Sequence, residues 1–156
     1  MYTTILLAAA LQRWERYSVH ALAAREVAVT LVPPTAKRLH VLSVYEYEYL
    51  PRPPELSPEM RARFAEDAKQ HTDALMRSKL EDYVAPLLAD GIAVETILRV
   101  GVARDVIVQV ATNIQADLVI MGSHSKRGLV DISLGGTAQY VSRHAPCTVV
   151  LVSPKP

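Results

Sequence analysis

The residues able to do chemistry gather in one stretch, from Gly122 to Thr137. It holds the hydroxyls of Ser123, Ser125 and Thr137, the imidazole of His124, the cations Lys126 and Arg127, and the glycines 122, 135 and 136. Glycines let the backbone approach a ligand closely, and successive N–H groups ahead of a helix carry partial positive charge. These are the parts of a phosphate-binding loop. The spacing matches neither G-x-G-x-x-G nor G-x-x-x-x-G-K-[ST], so an ordinary strand-to-helix loop with a glycine start fits these residues equally well. Ser123, His124 and Asp131 are the residue types of a hydrolytic triad. No G-x-S-x-G elbow accompanies them, and closeness in sequence does not supply the geometry that such a triad needs. The histidines, at 20, 40, 71, 124 and 144, show neither H-E-x-x-H nor paired-cysteine spacing, so no metal site is expected. Asp131 is the only acid in the loop. With no evident base for water and no dedicated Mg²⁺ carboxylate, the chain reads as a non-enzyme, or at most a slow ATP hydrolase.

The flanking sequence supplies the elements that must position this loop. Leu118 to Met121 is a continuous apolar run ending at Gly122, short and rich in Val and Ile, which is the pattern of a strand buried on both faces. Ala138, Val141 and Ala145 follow Gly135, Gly136 and Thr137 at helical spacing, and Pro146 closes that helix before a second apolar run, Thr148 to Val152. His144, beside Arg143, suits a cation complementing the helix dipole. In an open parallel sheet, this order of strand, loop, helix and strand sets a helix N-terminus beside the carboxyl end of a strand, where anionic ligands bind.

Earlier in the chain, Ile5 to Leu11 reads as a first strand, buried on both faces. Leu11, Trp14, Val19, Leu22 and Val27 then recur as a loose helical face that Pro33 and Pro34 must end. Arg38 to Tyr45 looks like a second strand, and the alternating tyrosines 45, 47 and 49 read as a strand edge or loop covering the core, or as a stacking platform for a ligand. Pro51, Pro53 and Pro54 make a stiff loop, and Ser57-Pro58-Glu59 starts a long helix. Its stripe is Met60, Phe64, Ala68, Leu75, Met76, Leu80, Val84 and Leu87, with Pro86 kinking or interrupting it and Asp90-Gly91 stopping it. Val94 to Val100 is a third strand, and Val102 to Ile114 a helix. Five strands alternating with four helical segments predict an α/β fold, a parallel sheet with helices on both faces and right-handed crossovers.

Composition sets the outer bounds. The chain has 156 residues, half of them hydrophobic, which suits one domain spanning 1–156 with a substantial core. A formal net charge of +1 gives no footprint for nucleic acid. The one cysteine, Cys147, cannot pair within the chain and adjoins an apolar strand, so a buried, inert thiol and a reducing cytoplasm are expected. No Lys or Arg precedes the first apolar run, and no run approaches the ~18 apolar residues of a membrane span, so neither secretion nor membrane insertion is expected.

The segment MGSHSKRGLVDISLGGTAQYVSRHAPCTVVLV strongly resembles the C-terminal signature of the universal stress protein family. MYTTILL, RLHVLSV, VETILRVG and ADLVIMGSHS extend the resemblance over the whole chain. It implies an open, Rossmann-like sheet of five parallel strands in the order 3-2-1-4-5. It also implies a homodimer joined through the last strands, here Thr148, Val149, Val150, Leu151 and Val152. One branch of the family binds ATP or related adenine nucleotides between the first and fourth strands, with Mg²⁺ arriving only with ATP. The alternative within the family is a dimeric stress-response interaction protein that binds no nucleotide.

The nucleotide-binding branch carries Gly, two residues, Gly, nine residues, Gly and then Ser or Thr. Gly122 and Gly135 match the first and third positions, whereas Ser125 stands at the second glycine and Gly136 at the hydroxyl residue. Thr137 is a substitute hydroxyl one residue late. Binding members also carry an Asp at the carboxyl end of the first strand, where this chain has Ala10, with Gln12 nearby as a weaker polar group. Loss of a charge-assisted hydrogen bond is worth about 1.5–3 kcal/mol, or about tenfold or more in affinity. The remaining positions implied are Val44, whose backbone would face the adenine, Met121 and His124. Lys126 and Arg127 lie near enough in sequence to meet phosphates, or form a solvated loop.

Overall fold

A computed structural model describes residues 2–11, 17–32, 38–47, 55–124 and 134–155. Strands β1 (Thr4–Ala8), β2 (Arg38–Tyr45), β3 (Val94–Val100), β4 (Leu118–Gly122) and β5 (Thr148–Val152) alternate with helices α1 (Val19–Leu31), α2 (Pro58–Ala89), α3 (Ala103–Asn113) and α4 (Gly136–His144). The strands form one five-stranded sheet in the order β3-β2-β1-β4-β5, with all neighbouring pairs parallel.

The central position of β1 explains its composition. Successive side chains of a strand point to opposite faces, so Ile5 and Leu7 join the core under α1 and α2, while Leu6 and Ala8 join the core under α3 and α4. Ile5, Leu6 and Leu7 have no accessible surface. Full burial of such a side chain is worth about 1.5–3 kcal/mol, so this short strand anchors both layers. At the amino edge of the sheet, Asp117 accepts from Thr3 N at 2.7 Å, Thr3 Oγ1 at 2.9 Å and Thr4 N at 3.1 Å, which ties the start of β1 to the start of β4. Partial burial opposes ionisation of Asp117, but these hydrogen bonds outweigh it and hold the carboxyl below its ordinary range.

Helix α1 begins at Val19 because Ser18, in an extended conformation, caps it by accepting from Ala21 N at 3.1 Å. The first strand stops at Ala8, short of the expected Leu11, and the helix excludes Leu11, which is buried beyond the strand end. Trp14, Pro33, Pro34, Tyr49 and the prolines at 51, 53 and 54 lie outside the described residues. Helices α1 and α2 are joined at Tyr83, which is fully buried. Its hydroxyl donates to Ala21 O at 2.6 Å, Arg25 donates to its carbonyl at 3.0 Å, and Tyr17 meets its ring edge-on at 5.4 Å. Burial pushes the Tyr83 phenol well above its ordinary value.

Helix α2 has 32 residues, or about 48 Å at the usual helical rise, whereas β2 has eight residues and spans about 26 Å. The helix therefore outruns the sheet. Thr72, Met76, Leu80, Tyr83, Val84 and Leu87 are buried at intervals of three and four, but Met60 and Phe64 are about half exposed, contrary to the stripe expected of them. Pro86 does not interrupt the helix, which continues to Ala89 before Gly91 turns the chain at φ +78°. Cys147 is half-buried rather than fully buried, and burial pushes its thiol up. Among the described residues, no helix is long and apolar enough to cross a membrane.

The far end of β2 is fixed to α2 by a polar contact. Tyr45 and Tyr47 both donate their hydroxyls to Asp73 Oδ1, Tyr47 at 2.7 Å, and their rings pack edge to face at 5.8 Å. The two hydroxyls hold Asp73 below the ordinary carboxylate range, and burial together with Asp73 raises Tyr45. Asp73 is close to solvent, so the contribution is screened to about 1 kcal/mol. A lowered folded pKa stabilises above the unfolded carboxylate value near 4 and is lost as pH falls through the folded value. Asp73→Asn is therefore expected to be less stable than wild type at neutral pH in urea titrations, with the difference shrinking below about pH 4. Above about pH 10 the raised Tyr45 works the other way, and wild type loses stability as the phenols ionise. A second expectation concerns Ser43, fully buried in β2 with no hydrogen-bond partner for Oγ among the described residues. Ser43→Ala removes an unpaired polar atom and should raise the urea midpoint, by about 1 kcal/mol in stability.

Candidate functional site

A cleft of about 690 Å³ opens at the carboxyl edge of the sheet, where β1 and β4 lie side by side and their connections leave in opposite directions. Its floor is the end of β1 and the residues just after it, Ala8 to Leu11, with Leu42 and Val44 of β2 on one side and, on the other, Met121 and Gly122 of β4 with Ser123 and His124 just past it. Gly135, Gly136, Thr137 and Ala138 form the wall opposite, and Ala103 and Ile107 of α3 close the back. Such a volume is the size of an ordinary small-molecule site. Helix α4 points its amino end into this space. Its N-cap, Gly135, offers no side-chain cap, so the first-turn N–H groups face the cleft with their partial positive charge.

The glycines are not equivalent. A Cβ on Gly122 would lie 2.7 Å from His20 Cβ, so β4 needs glycine there for α1 to cross it. A Cβ on Gly135 would come within 3.0 Å of Ser123 O, the same carbonyl that accepts from Gly135 N at 3.0 Å and ties α4 to the end of β4. A Cβ on Gly136 would meet nothing within 4 Å among the described residues. Gly122 is thus a steric requirement of the fold, Gly135 sits at a tight approach to a backbone carbonyl, and Gly136 leaves room among the described residues.

Just past β4, Ser123 is buried and joins three elements. Its N–H donates to Val152 O at 2.8 Å, extending the β4–β5 pairing by one residue. Its Oγ lies 2.8 Å from Ser153 Oγ, 3.3 Å from His20 Nδ1 and 3.4 Å from His124 Nδ1, and the two imidazole rings are 5.5 Å apart. Among the described residues that line the cleft, His124 is the one ionisable side chain, and none is a carboxylate. The chemistry on offer is therefore an apolar slot, backbone N–H groups at one end, and a hydroxyl–imidazole cluster beside them.

Of the residues singled out in the sequence, Ala10, Val44, Met121, Gly122, His124, Gly135, Gly136 and Thr137 all line this cleft. Gln12, Ser125, Lys126, Arg127 and Asp131 lie outside the described residues. Sequence reasoning missed Leu11, Leu42, Ala103 and Ile107, and it did not join His20 to Ser123. For Ala103 and Ile107 a signal existed: in a sheet of order 3-2-1-4-5, the helix between the third and fourth strands must cross the β1–β4 gap. For His20 there was none, because it lies 103 residues from Ser123. His144 sits at the end of α4 as expected, its Nδ1 2.8 Å from Tyr140 O.

Relatives and solved structures place this architecture. Universal stress protein Sll1388 of Synechocystis is 36% identical over 84 residues, 54% of this chain and 53% of its own length. Universal stress protein MJ0577 of Methanocaldococcus jannaschii is 31% identical over 101 residues, 65% of this chain and 57% of its own. The matches thus span little more than half the length of these curated relatives. The solved structure of MJ0577 superposes with a TM-score of 0.76 at 24% identity, covering 100% of this chain and 99% of that one. A universal stress protein in complex with cAMP gives 0.66 at 20% identity, covering 99% of both chains. A family member from Arabidopsis thaliana with AMP bound gives 0.62 at 21% identity, covering 98% of this chain and 92% of that one. At these identities the structures speak to the fold. The family model described as "Universal stress protein family" matches residues 1–153, and the chain belongs to that family.

Proposed function

We propose that the chain is a cytoplasmic, homodimeric stress-response module that binds an adenine nucleotide, ATP, ADP or AMP, in the cleft between β1 and β4. The observation that carries this reading is the amino end of α4, uncapped at Gly135 and directed into a slot of nucleotide size. Two structural neighbours, described with cAMP and with AMP, are in keeping with it. The adenine occupies the apolar part between Ala8, Val44 and Ile107, and the phosphates meet the N–H groups from Gly135 to Thr137. Lys126 and Arg127 add charge from the adjoining segment, and Mg²⁺ accompanies ATP. Dimerisation uses β5, an edge strand whose Val149, Val150 and Leu151 are only half-buried. An apolar edge of that kind favours pairing with another strand.

A second reading, a dimeric interaction protein without nucleotide, draws support from Ala10. It lines the cleft where a carboxylate would grip a polar ligand, and no described lining residue replaces it.

Acid-quenching freshly purified protein and chromatographing the supernatant should release an adenine nucleotide, and calorimetry should show saturable binding. No nucleotide in the supernatant and flat calorimetry at millimolar ATP, ADP and AMP would favour the second reading. Ala10→Asp restores a charged acceptor and is expected to tighten ATP binding by about tenfold or more. Gly136→Ser has room for its hydroxyl and should tighten it further; unchanged affinity in both variants would mean that the ligand lies elsewhere. Sedimentation should find a dimer in the wild type and a shift toward monomer in Val150→Glu, with unchanged far-ultraviolet circular dichroism as the check on folding.

A further inference from the structure

We infer that β3 is a self-association surface, at which two copies of this chain join edge to edge and antiparallel about a two-fold axis through Ile97. β3 is the outer strand on the side of the sheet away from β5, and among the described strands it pairs only with β2. Leu39 N–H donates to Ala93 O, and Gly101 N–H donates to Tyr45 O, both at 3.0 Å. Alternate residues of a strand face a given neighbour, so the odd-numbered residues of β3 bond to β2. The N–H and C=O groups of Val94, Thr96, Leu98 and Val100 therefore point out from the open edge. Such a row is a template for another strand.

Native edges are blunted by charge, and this one carries Glu95 and Arg99, both exposed. Their spacing selects the partner. In an antiparallel pair, outward-bonding residues must oppose outward-bonding residues, so even-numbered positions of one copy face even-numbered positions of the other. With Ile97 on the axis, Val94 meets Val100 of the second copy, Thr96 meets Leu98, and the whole of β3 is paired. Glu95 then lies opposite Arg99 on both sides of the axis, at the non-hydrogen-bonded positions where side chains are closest. Moving one copy by two residues in either direction sets Glu95 or Arg99 against Ile97 instead. The strand is thus complementary to itself in one register, as a two-fold contact requires. Val100, an exposed apolar side chain, gains an apolar neighbour in Val94. Arg99 already leans along this edge, where its Nη1 donates to Leu98 O at 3.0 Å, and pairing transfers it from that carbonyl to the facing carboxylate. On the inner side Glu95 keeps Arg38 of β2 at 3.3 Å, so each carboxylate sits between two cations.

Exposed ion pairs contribute little, so this association is weak and grows with protein concentration. It needs neither a nucleotide nor the β5 edge, which lies at the opposite side of the sheet. For its test, Glu95→Cys and Arg99→Cys, each in a Cys147→Ser background, are mixed at high protein concentration and gently oxidised. The mixture opposes the two thiols and keeps one Glu95–Arg99 pair, and it should give a disulfide-linked dimer. Each variant alone should give little, because identical residues then lie about 13 Å apart along the strands, beyond the about 7 Å between Cα atoms that a disulfide spans. No cross-link in the mixture, or one as strong in either variant alone, would overturn the proposal. Amide hydrogen exchange of the wild type, at low and high protein concentration, needs no variant. The N–H groups of Thr96 and Leu98 should exchange more slowly as concentration rises, while those of Ile97 and Arg99, bonded to β2, stay unchanged. Exchange at Thr96 and Leu98 that is independent of concentration would equally contradict the pairing. The amides of β5 report on the other edge, so failure there and failure here are told apart.

Discussion

The crossing of α1 over β4 at Gly122 is the contact on which the rest of the cleft depends. A methyl group at residue 122 would sit 2.7 Å from His20 Cβ and 3.3 Å from the His20 carbonyl carbon, so the helix could not lie where it does. Its position brings His20 onto Ser123 and sets Ala21 beside the slot. It also lets Ala21 and Ala24, both buried small residues, pack the helix into the core shared with α2. Tyr83 then locks the far side of α1 by taking Ala21 O as its acceptor. One missing Cβ thus governs the distance between two layers, and the same glycine opens the sequence stretch that carries the chemistry.

That double role bears on how the glycines are understood. Gly122 and Gly135 stand where a phosphate loop would put them, but the fold requires Gly122, and brings Gly135 close to a backbone carbonyl, for reasons that hold without any ligand. Gly136 alone of the three has open space beside it among the described residues. Among the described lining residues, Ala, Leu, Val, Ile and Met side chains dominate, with polar groups at the α4 end and in the Ser123 cluster. Such a site holds a ligand by apolar burial and by a few directed N–H groups, and it discriminates poorly against ligands that lack a group to be read by a carboxylate.

Much of the fold was legible from the strands: a parallel strand covered on both faces, such as Leu118–Gly122, shows as a continuous apolar run, and the largely exposed Val94–Val100 shows by its alternation. Arg38–Tyr45, Val94–Val100 and Thr148–Val152 have the boundaries that the sequence pattern predicts. Where reading failed, a local signal was overruled by something distant or by length. The apolar spacing of Leu11 with Val19 imitated a helix face, yet the Ser18 cap starts the helix later. Met60 and Phe64 kept the period of α2, but no described strand extends far enough to cover them. Tyr45 and Tyr47 converge on Asp73 across 28 and 26 residues, and their alternation alone could not say what they would meet. Most of the cleft followed from the loop and the strand order together, because the order decides which loop ends come together.

The central claim is that ligand enters between the end of β1 and the start of α4. Amide resonances of uniformly ¹⁵N-labelled protein titrated with AMP test it directly. Shifts concentrated at Ala10, Val44, His124 and Gly135 to Thr137, with the amino-edge residues Thr3, Thr4 and Asp117 unmoved, are the predicted result. Saturable shifts that map to another face, or an unperturbed spectrum at millimolar AMP, would contradict it.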